Sequence, residues 1–240
     1  MDQDPIVPFS DGTTYHEDVL VPPYLMRHYW WAYVHPRAVK VFDRPWLVNL
    51  ILLGNYKRLV QAAIDEFETR PPGRVLQLAC VYGDLSLKLA KSVAGADGTL
   101  DVIDVLPIQL RNLKWKLPSR TPARLMRMDS TALDLPDQRY DQVLLFFLLH
   151  EQPEAVRQET ITEALRVLKR DGTLIIVDYG KPRWWNPLRY LMPPFLAVLE
   201  PFALSLMKTP IETRLPDAMR VRQTSYFGGL YQKVVATRRP

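Results

Sequence analysis

The sequence predicts an α/β protein with a mostly parallel, doubly wound sheet that ends in an antiparallel hairpin. Short apolar strands alternate with helical segments between residues 71 and 180, which is typical of parallel sheets. Residues 220–239 alternate in polarity around Gly228-Gly229, as expected of a closing hairpin. An unusually aromatic helical segment precedes the core.

The first 70 residues predict a lead followed by aromatic helices. Residues 1–23 carry little periodic pattern, whereas residues 24–68 are helical in pattern and rich in aromatic side chains. Pro36 and Pro45 divide this segment, because a proline ends one helix or opens the next. The sequence PPGR at 71–74 marks a break before the core.

The core at residues 71–180 contains the alternating elements. Its strand candidates are short apolar runs, and its helix candidates have apolar residues at helical spacing. Asp171-Gly172 predicts the end of the last core helix. Strands are predicted at 75–80, 98–105, 123–129, 140–149 and 173–180, and helices at 84–94, 107–117 and 153–172.

The remaining chain divides into a tail at 181–221 and the hairpin at 222–240. Five prolines interrupt the tail between residues 181 and 208, so we expect a bent, partly helical cap or a membrane-facing insertion. Together with the lead at 1–70, these segments are expected to form one folded domain.

Charge and composition narrow the class of protein. The net charge is +5, and the last 60 residues hold ten Lys and Arg against three acids. This tail suits either an anionic membrane surface or ordinary solvation. Nucleic acid is a poorer partner, because the basic residues alternate with large aliphatic ones.

The cysteine count and the apolar runs bear on location. We expect a reducing compartment, since Cys80 is the only cysteine. We also expect no transmembrane helix and no secretory signal.

Polar side chains follow the predicted strands at the edge where open α/β sheets bind ligands. Asp104 can accept the hydroxyl hydrogens of a ribose or cap the next helix. Asp129, followed by Ser130, can accept from an adenine amino group or form a turn. The turn at 80–84 and the strand ends at 146–151 and 178–179 complete this edge, which predicts a nucleotide-like cofactor.

Several segments resemble the successive motifs of class I S-adenosylmethionine-dependent methyltransferases, in particular the ubiquinone and menaquinone branch. They are VLQLACVYGDLS, LDVIDV, RMDSTALDLP, YDQVLLFFLLHE and EALRVLKRDGTLIIVDYG. The resemblance implies a Rossmann-like fold and S-adenosylmethionine as the bound cosubstrate. The cofactor-binding residues that it implies are Gln77, Cys80, Val81, Tyr82, Gly83, Asp104, Val105, Asp129, Ser130 and Phe146.

The cofactor loop departs from that family at the amino-acid end. The family has an acid at position 77 and glycines at 79, 81 and 83, whereas this chain has Gln77, Ala79, Val81 and Gly83. Glycine allows close backbone approach and positive φ. The usual grip on the α-ammonium group is therefore expected to change.

Residues 29–56 resemble the aromatic N-terminal segment of the rhodoquinone biosynthesis enzymes, which also carry a CVYGD turn. That resemblance implies replacement of a ubiquinone ring methoxy group by an amino group, with S-adenosylmethionine as amino donor and Mn²⁺ as a required metal. A methyltransferase acting on a quinol or phenol is the alternative, and a non-catalytic quinone-binding or cofactor-binding protein is a third reading.

Under the rhodoquinone reading, the catalytic candidates are Tyr82, His150, Glu151 and Asp178, and His150 with Glu151 would bind the metal. Asp178 is another candidate ligand, and His28 and His35 are further choices if the aromatic helix folds over the cleft. A peripheral location at the inner face of the cytoplasmic membrane, or at the mitochondrial inner membrane in a eukaryote, follows from a lipid quinone substrate. The candidate substrate-binding residues are Tyr29, Trp30, Trp31, Tyr33, His35, Tyr179, Trp184 and Trp185.

Overall fold

The computed structural model describes residues 19–69 and 73–238. Residues 1–18 of the predicted lead, residues 70–72 at the predicted break and the final residues 239–240 lie outside the described residues. Within the described ranges, no helix is both long enough and apolar enough to cross a bilayer.

Seven strands form one sheet in the order β3-β2-β1-β4-β5-β7-β6, which confirms the predicted fold class. The first five strands run parallel, and β7 is antiparallel to both β5 and β6. The strands are β1 (Arg74–Leu78), β2 (Thr99–Asp104), β3 (Ala123–Arg127), β4 (Tyr140–Phe146), β5 (Leu168–Tyr179), β6 (Met219–Tyr226) and β7 (Tyr231–Arg238).

The helices cover both faces of the sheet. An N-terminal helix with π-type hydrogen bonding (Leu25–Val34) comes first, and Pro36 and Pro45 open the next two helices, as predicted. The others are α1 (Pro36–Phe42), α2 (Pro45–Ile51), α3 (Tyr56–Glu68), α4 (Leu85–Ala94), α5 (Pro107–Lys116), α6 (Glu154–Val167), α7 (Leu188–Leu199) and α8 (Ala203–Lys208), with short 3-10 turns at Leu149–Glu151 and Ile211–Arg214.

Alternating strand residues divide the core into two layers. Val75 and Leu144 pack with α3, α4 and α5 on one face, whereas Leu76 and Leu145 pack with α6 and α8 on the other. A parallel sheet buried on both faces explains why its strands are continuous apolar runs.

The predicted boundary at Asp171-Gly172 is wrong. Helix α6 ends at Val167 and β5 begins at Leu168. The register between β4 and β5 shifts here, so that Asp171 and Gly172 fall in an irregular part of the strand. A side chain at residue 172 would crowd Leu168 and the Asp141 carbonyl, so the glycine serves close packing and not a helix stop.

The predicted strand at 140–149 is also too long. Strand β4 ends at Phe146, and Phe147 takes a positive φ of 51° before the 3-10 turn. The change of direction places the following side chains at the edge of the sheet. His150 and Glu151 lie in this turn.

Candidate active site

A cavity of about 360 Å³ opens at the carboxyl ends of β1, β2, β4 and β5. This edge is where the strand order reverses between β1 and β4, the usual ligand position in such sheets. The N-terminal helix, α2 and α7 complete its walls. The predicted site residues that line it are Trp31, Tyr33, Cys80, Val81, Tyr82, Asp104, Val105, Asp129, Ser130, Phe146, His150, Glu151 and Tyr179.

Other predicted site residues do not line this cavity. Tyr29 is buried in a small cluster with Leu25 and Leu106, and Asp178 and Gln77 are buried beneath the cavity-lining segments. Gly83 lies behind the loop surface. Trp30, His35, Trp184 and Trp185 are exposed outside the cavity.

The turn after β1 keeps a glycine-like conformation without most of the family's glycines. Ala79 has a φ of 70° and Gly83 a φ of 88°, whereas the intervening residues avoid positive φ. Gln77 donates from its Nε2 to the Ala79 carbonyl (2.9 Å) and to Ser86 Oγ (2.8 Å). The amide at position 77 therefore holds the turn itself. A carboxylate could not make those donations.

Gly83 is fixed from two sides. Its N–H donates to Asp43 Oδ1 (3.0 Å), and its carbonyl accepts from Lys116 Nζ (2.9 Å). Lys116 also pairs with Asp43 at 2.6 Å. A Cβ at position 83 would overlap the Tyr56 hydroxyl. Close packing as well as positive φ therefore requires glycine here.

Tyr82 joins the loop to the N-terminal helix. Its hydroxyl donates to the Ala32 carbonyl (2.6 Å) and accepts from Gln109 Nε2 (2.9 Å). Its ring stacks on Tyr33 and on Phe42, with centroids 5.4 and 6.3 Å apart. This aromatic stack forms one wall of the cavity.

Asp104 is at the end of β2 and is almost fully buried. It accepts the backbone N–H groups of Cys80 and Leu106, both at 2.8 Å. Burial raises its pKa to about 6, although those hydrogen bonds oppose the rise. Asp104 therefore ties the β1 turn to the β2 turn while lining the cavity.

Asp129 forms a turn. Its Oδ1 accepts from the backbone N–H and the hydroxyl of Thr131, both at 2.9 Å. Ser130 lies within hydrogen-bonding distance of Thr160 at 3.0 Å and accepts from Gln152 at 3.2 Å. The turn-forming role considered for Asp129 is present, and both residues also face the cavity.

His150 lies at the centre of a buried acid–base cluster. Its Nδ1 is 2.9 Å from Asp178 Oδ1. Its Nε2 is 3.9 Å from Glu151 Oε1 and 3.8 Å from Glu200 Oε2. The second Asp178 oxygen accepts the N–H groups of Leu149 and His150 at 2.9 and 3.3 Å, which holds the turn against β5.

The cluster changes the protonation of its members. Burial opposes the charged form of His150, but Asp178, Glu200 and Glu151 outweigh it and raise the pKa to about 9. Burial and the charge of Glu200 raise the pKa of Glu151, and burial also raises that of Glu200. The Tyr33 hydroxyl donates to Glu151. The arrangement thus favours a cationic imidazole beside two carboxyl groups that hold their protons more strongly than they would in water.

The predicted manganese site is not supported by this donor set. Among residues 19–69 and 73–238, no group of three or more His, Cys, Asp or Glu side chains could hold a metal ion. His150 Nδ1, on a predicted ligand, lies 2.9 Å from Asp178 Oδ1, and the neighbouring carboxylates raise the pKa of the imidazole to about 9, so a metal would have to displace a proton here. His28 packs on Phe202.

Sequence reasoning missed three residues that matter here. Glu200 follows α7 and Gln109 lies in α5, and both line the cavity. Arg157 is fully buried and donates to the carbonyls of Leu149 and Gln152, both at 2.9 Å. Glu200 and Gln109 are single polar residues within apolar or helical segments, and no sequence motif distinguishes them. A lone arginine in an amphipathic helix is normally read as a solvated side chain.

The fold and the site together define the class I S-adenosylmethionine-dependent methyltransferase architecture. The N-methyltransferase NodS from Bradyrhizobium japonicum, solved with S-adenosyl-l-homocysteine, superposes with a TM-score of 0.56 at 13% identity, over 84% of this chain and 91% of that one. A SAM-dependent methyltransferase from Aquifex aeolicus gives 0.53 at 21% identity, over 84% and 97%. At these identities the likeness establishes the fold.

Sequence comparison establishes the family. A family model for a methyltransferase domain matches residues 75–172. An uncharacterized methyltransferase, sll0829, from Synechocystis sp. is 30% identical over 213 residues, which cover 86% of this chain and 93% of the relative. The chain therefore belongs to the S-adenosylmethionine-dependent methyltransferase family, which confirms that part of the prediction.

Two further relatives have names that specify a pathway or a substrate. The ubiquinone/menaquinone biosynthesis C-methyltransferase UbiE of Ectopseudomonas mendocina is 31% identical over 59% of this chain and 55% of its own length. The 2-phytyl-1,4-naphtoquinone methyltransferase of a Nostoc species is 28% identical over 62% of this chain and 64% of its own length. The chain thus spans less than two thirds of each of these two relatives.

Proposed function

We propose that the protein transfers a group from S-adenosylmethionine to the ring of a lipid quinone or quinol. The observation that carries this proposal is the composition of the cavity, where aromatic walls meet the acid–base cluster of His150, Glu151 and Glu200. A flat ring with oxygen substituents needs both an apolar wall and groups that exchange protons with its oxygens. The names of the two quinone-related relatives support the same substrate class.

Methyl transfer to a quinol is the first candidate reaction. S-adenosylmethionine supplies an electrophilic methyl group when it is bound. Glu151 would accept the proton that the attacking ring carbon or hydroxyl gives up, since its raised pKa lies nearer to neutral pH than that of an ordinary carboxylate. His150 would remain protonated beside it and stabilise the Glu151 carboxylate before the proton is transferred. Tyr33 would orient Glu151 through its hydroxyl.

Amination of the ring is a second candidate, favoured by the loop. The side-chain amide of Gln77 hydrogen-bonds within the turn. Val81 lines the cavity where the family has glycine, and the large side chain of Tyr82 lines it as well. An amine donor needs its α-amino nitrogen released, deprotonated and directed at an electron-poor ring carbon. The nitrogen would add to the ring carbon and displace methoxide, which takes the proton of the nitrogen and leaves as methanol. Water would then have to add to the donor's α-carbon, so that the bond from nitrogen to that carbon breaks with its electron pair and a proton on the nitrogen.

Mass spectrometry separates the two reactions. The full chain is incubated with a short-chain ubiquinone, with its quinol or with a quinol that keeps one unsubstituted ring carbon, and with S-adenosylmethionine labelled either with ¹³C in the methyl group or with ¹⁵N in the amine. A product that carries the ¹³C methyl group supports methyl transfer, and one that carries ¹⁵N in place of a methoxy group supports amination. If neither the quinone nor the quinol is converted, the proposed function is wrong.

The loop offers a matched variant. Val81→Gly with Tyr82→Thr restores small residues at the amino-acid end of the cofactor. We expect this variant to gain methyl transfer relative to amination if the loop selects the transferred group. Full amination by the variant would show that the loop is incidental to the reaction.

A further inference from the structure

Two helices at the mouth of the cavity leave most of their apolar side chains in solvent. In α7, Leu196 is the only buried residue, while Phe195 and Val198 are 65% and 80% exposed. No residue of α2 is buried, and Trp46 and Leu50 are 61% and 63% exposed. Large apolar patches of this kind mark interaction surfaces.

The same two helices line the cavity. Ile51 from α2 and Phe195, Leu196 and Leu199 from α7 contribute to its wall. The exposed apolar side chains of these helices therefore adjoin the residues that line the site. We call it the α2–α7 surface, formed by Trp46, Leu50, Tyr190, Leu191, Phe195 and Val198.

Basic side chains precede both helices. Arg37, Lys40 and Arg44 are exposed before α2, and Lys181 and Arg183 are exposed before α7. Residues 24–58 hold six Lys and Arg against one acid, and residues 181–199 hold three against none. This charge is complementary to anionic lipid headgroups, and exposed aromatic residues beside basic ones are typical of membrane interfaces.

We propose that the α2–α7 surface docks on an anionic bilayer and that a lipid quinone passes between the membrane and the cavity across it. The proposal rests on the proposed function, because a lipid quinone is the substrate that needs this route. The isoprenoid tail stays in the acyl region while the ring enters between α2 and α7. The flanking basic residues hold the protein at the headgroups.

Vesicle flotation of the full chain tests the docking surface. The vesicles contain phosphatidylcholine alone or with about one third phosphatidylglycerol, which supplies the negative surface potential. The surface variant combines Trp46→Ser, Leu50→Ser, Leu191→Ser and Val198→Ser, none of which lines the cavity. The matched control is Trp115→Ser, which removes an 87% exposed tryptophan from α5.

The wild type and Trp115→Ser are expected to float with the anionic vesicles and much less with phosphatidylcholine alone or at high salt. The surface variant should lose about ten-thousandfold in partition coefficient, since each of the four large side chains that is no longer buried in the bilayer costs about tenfold. Circular dichroism and the thermal midpoint check that it still folds.

Two outcomes overturn the proposal. One is that the wild type floats with neither kind of vesicle. This outcome includes the case in which the wild type forms a dimer instead and the surface variant does not. The other is a surface variant that floats as well as the wild type. Turnover of a soluble, short-tailed quinol is measured in parallel without vesicles. Its absence would contradict the proposed function while leaving the docking result readable.

Discussion

At the scale of single residues, Gly83 shows how one position supports the cofactor loop. Gly83→Ala should lower the free energy of unfolding by roughly 2 kcal/mol or more, because the new methyl group meets Tyr56 and the backbone keeps a positive φ. The control is Gly95→Ala, whose added carbon would have nearest contacts at an ordinary 3.5 Å. Urea unfolding measures both. Equal stabilities for the two variants would contradict the packing argument.

Asp178 sets the protonation of His150. In Asp178→Asn we expect the pKa of His150 to fall from about 9 to 6.5 or below, because burial is then opposed only by Glu200 and Glu151. NMR titration of labelled histidine measures this, and the chain has only four histidines. A His150 signal that still titrates near pH 9 in the variant would contradict the conclusion that Asp178 raises the pKa of His150.

The same shift makes stability depend on pH. Between pH 6.5 and 9 the folded state binds more protons at His150 than the unfolded state, so stability falls as the pH rises. The contribution is complete below the unfolded pKa and amounts to about 3 kcal/mol. Urea unfolding at the two ends of this window should show the loss in the wild type and a smaller one in Asp178→Asn. A wild-type free energy of unfolding that does not change across this pH range would contradict the raised pKa of His150.

The strand-end acids could be predicted from the sequence, because β2 and β3 end at recognisable apolar boundaries and parallel strands share one edge. Glu200 could not, since it follows a proline-containing apolar helix and reaches His150 only through the tertiary fold. The same is true of Asp43, which follows the end of α1 and supports Gly83 across forty residues of sequence.

At the scale of elements, Arg157 connects α6 to the 3-10 turn at Leu149–Glu151 and to the start of α8. Its guanidinium donates to the carbonyls of Leu149 and Gln152 at 2.9 Å and to that of Phe202 at 3.1 Å. Burial lowers its pKa, and Asp178 opposes that shift. The side chain thus supplies donors to three carbonyl groups in two segments that approach only in the folded state.

Arg157→Met should therefore cost about 3 kcal/mol in the free energy of unfolding, because it leaves buried acceptors without a donor. Turnover should fall further than stability accounts for, since the turn that holds His150 and Glu151 loses its anchor. The exposed Arg220→Met in β6 is the control. Urea unfolding measures the stabilities, and single-turnover rates are compared at saturating substrate. An Arg157→Met variant that matched the wild type in both measurements, as the control should, would contradict this role.

Element boundaries were the less predictable part. Pro36, Pro45 and Pro107 each open a helix, as the local chemistry of proline requires. In contrast, the Asp171-Gly172 pair lies within β5, because pairing with β4 continues past a local irregularity that the sequence does not reveal. The π-type hydrogen bonding of the first helix also had no sequence signal.

At the scale of the whole molecule, the cavity is assembled from segments far apart in the chain. Tyr82 from the β1 turn meets Ala32 from the N-terminal helix, and Gln109 from α5 joins them. The alternation of strands and helices predicted the sheet, and with it the edge where the site lies. The N-terminal helix, α2 and α7 close that edge by packing between apolar faces. Amino-acid composition does not tell how such faces are oriented, so this part could not be predicted.

A cofactor held by these segments should stabilise the whole fold. S-adenosylhomocysteine at a hundred times its Kd should raise the free energy of unfolding by about 2.7 kcal/mol, because it binds the folded chain alone. Asp104→Asn should weaken this gain, since Asp104 both lines the cavity and ties Cys80 to Leu106. The exposed Asp217→Asn is the control. Thermal unfolding over a ligand series gives both quantities. An undiminished shift in Asp104→Asn would mean that the nucleoside does not lie against β2, and the placement of the cofactor would have to be revised.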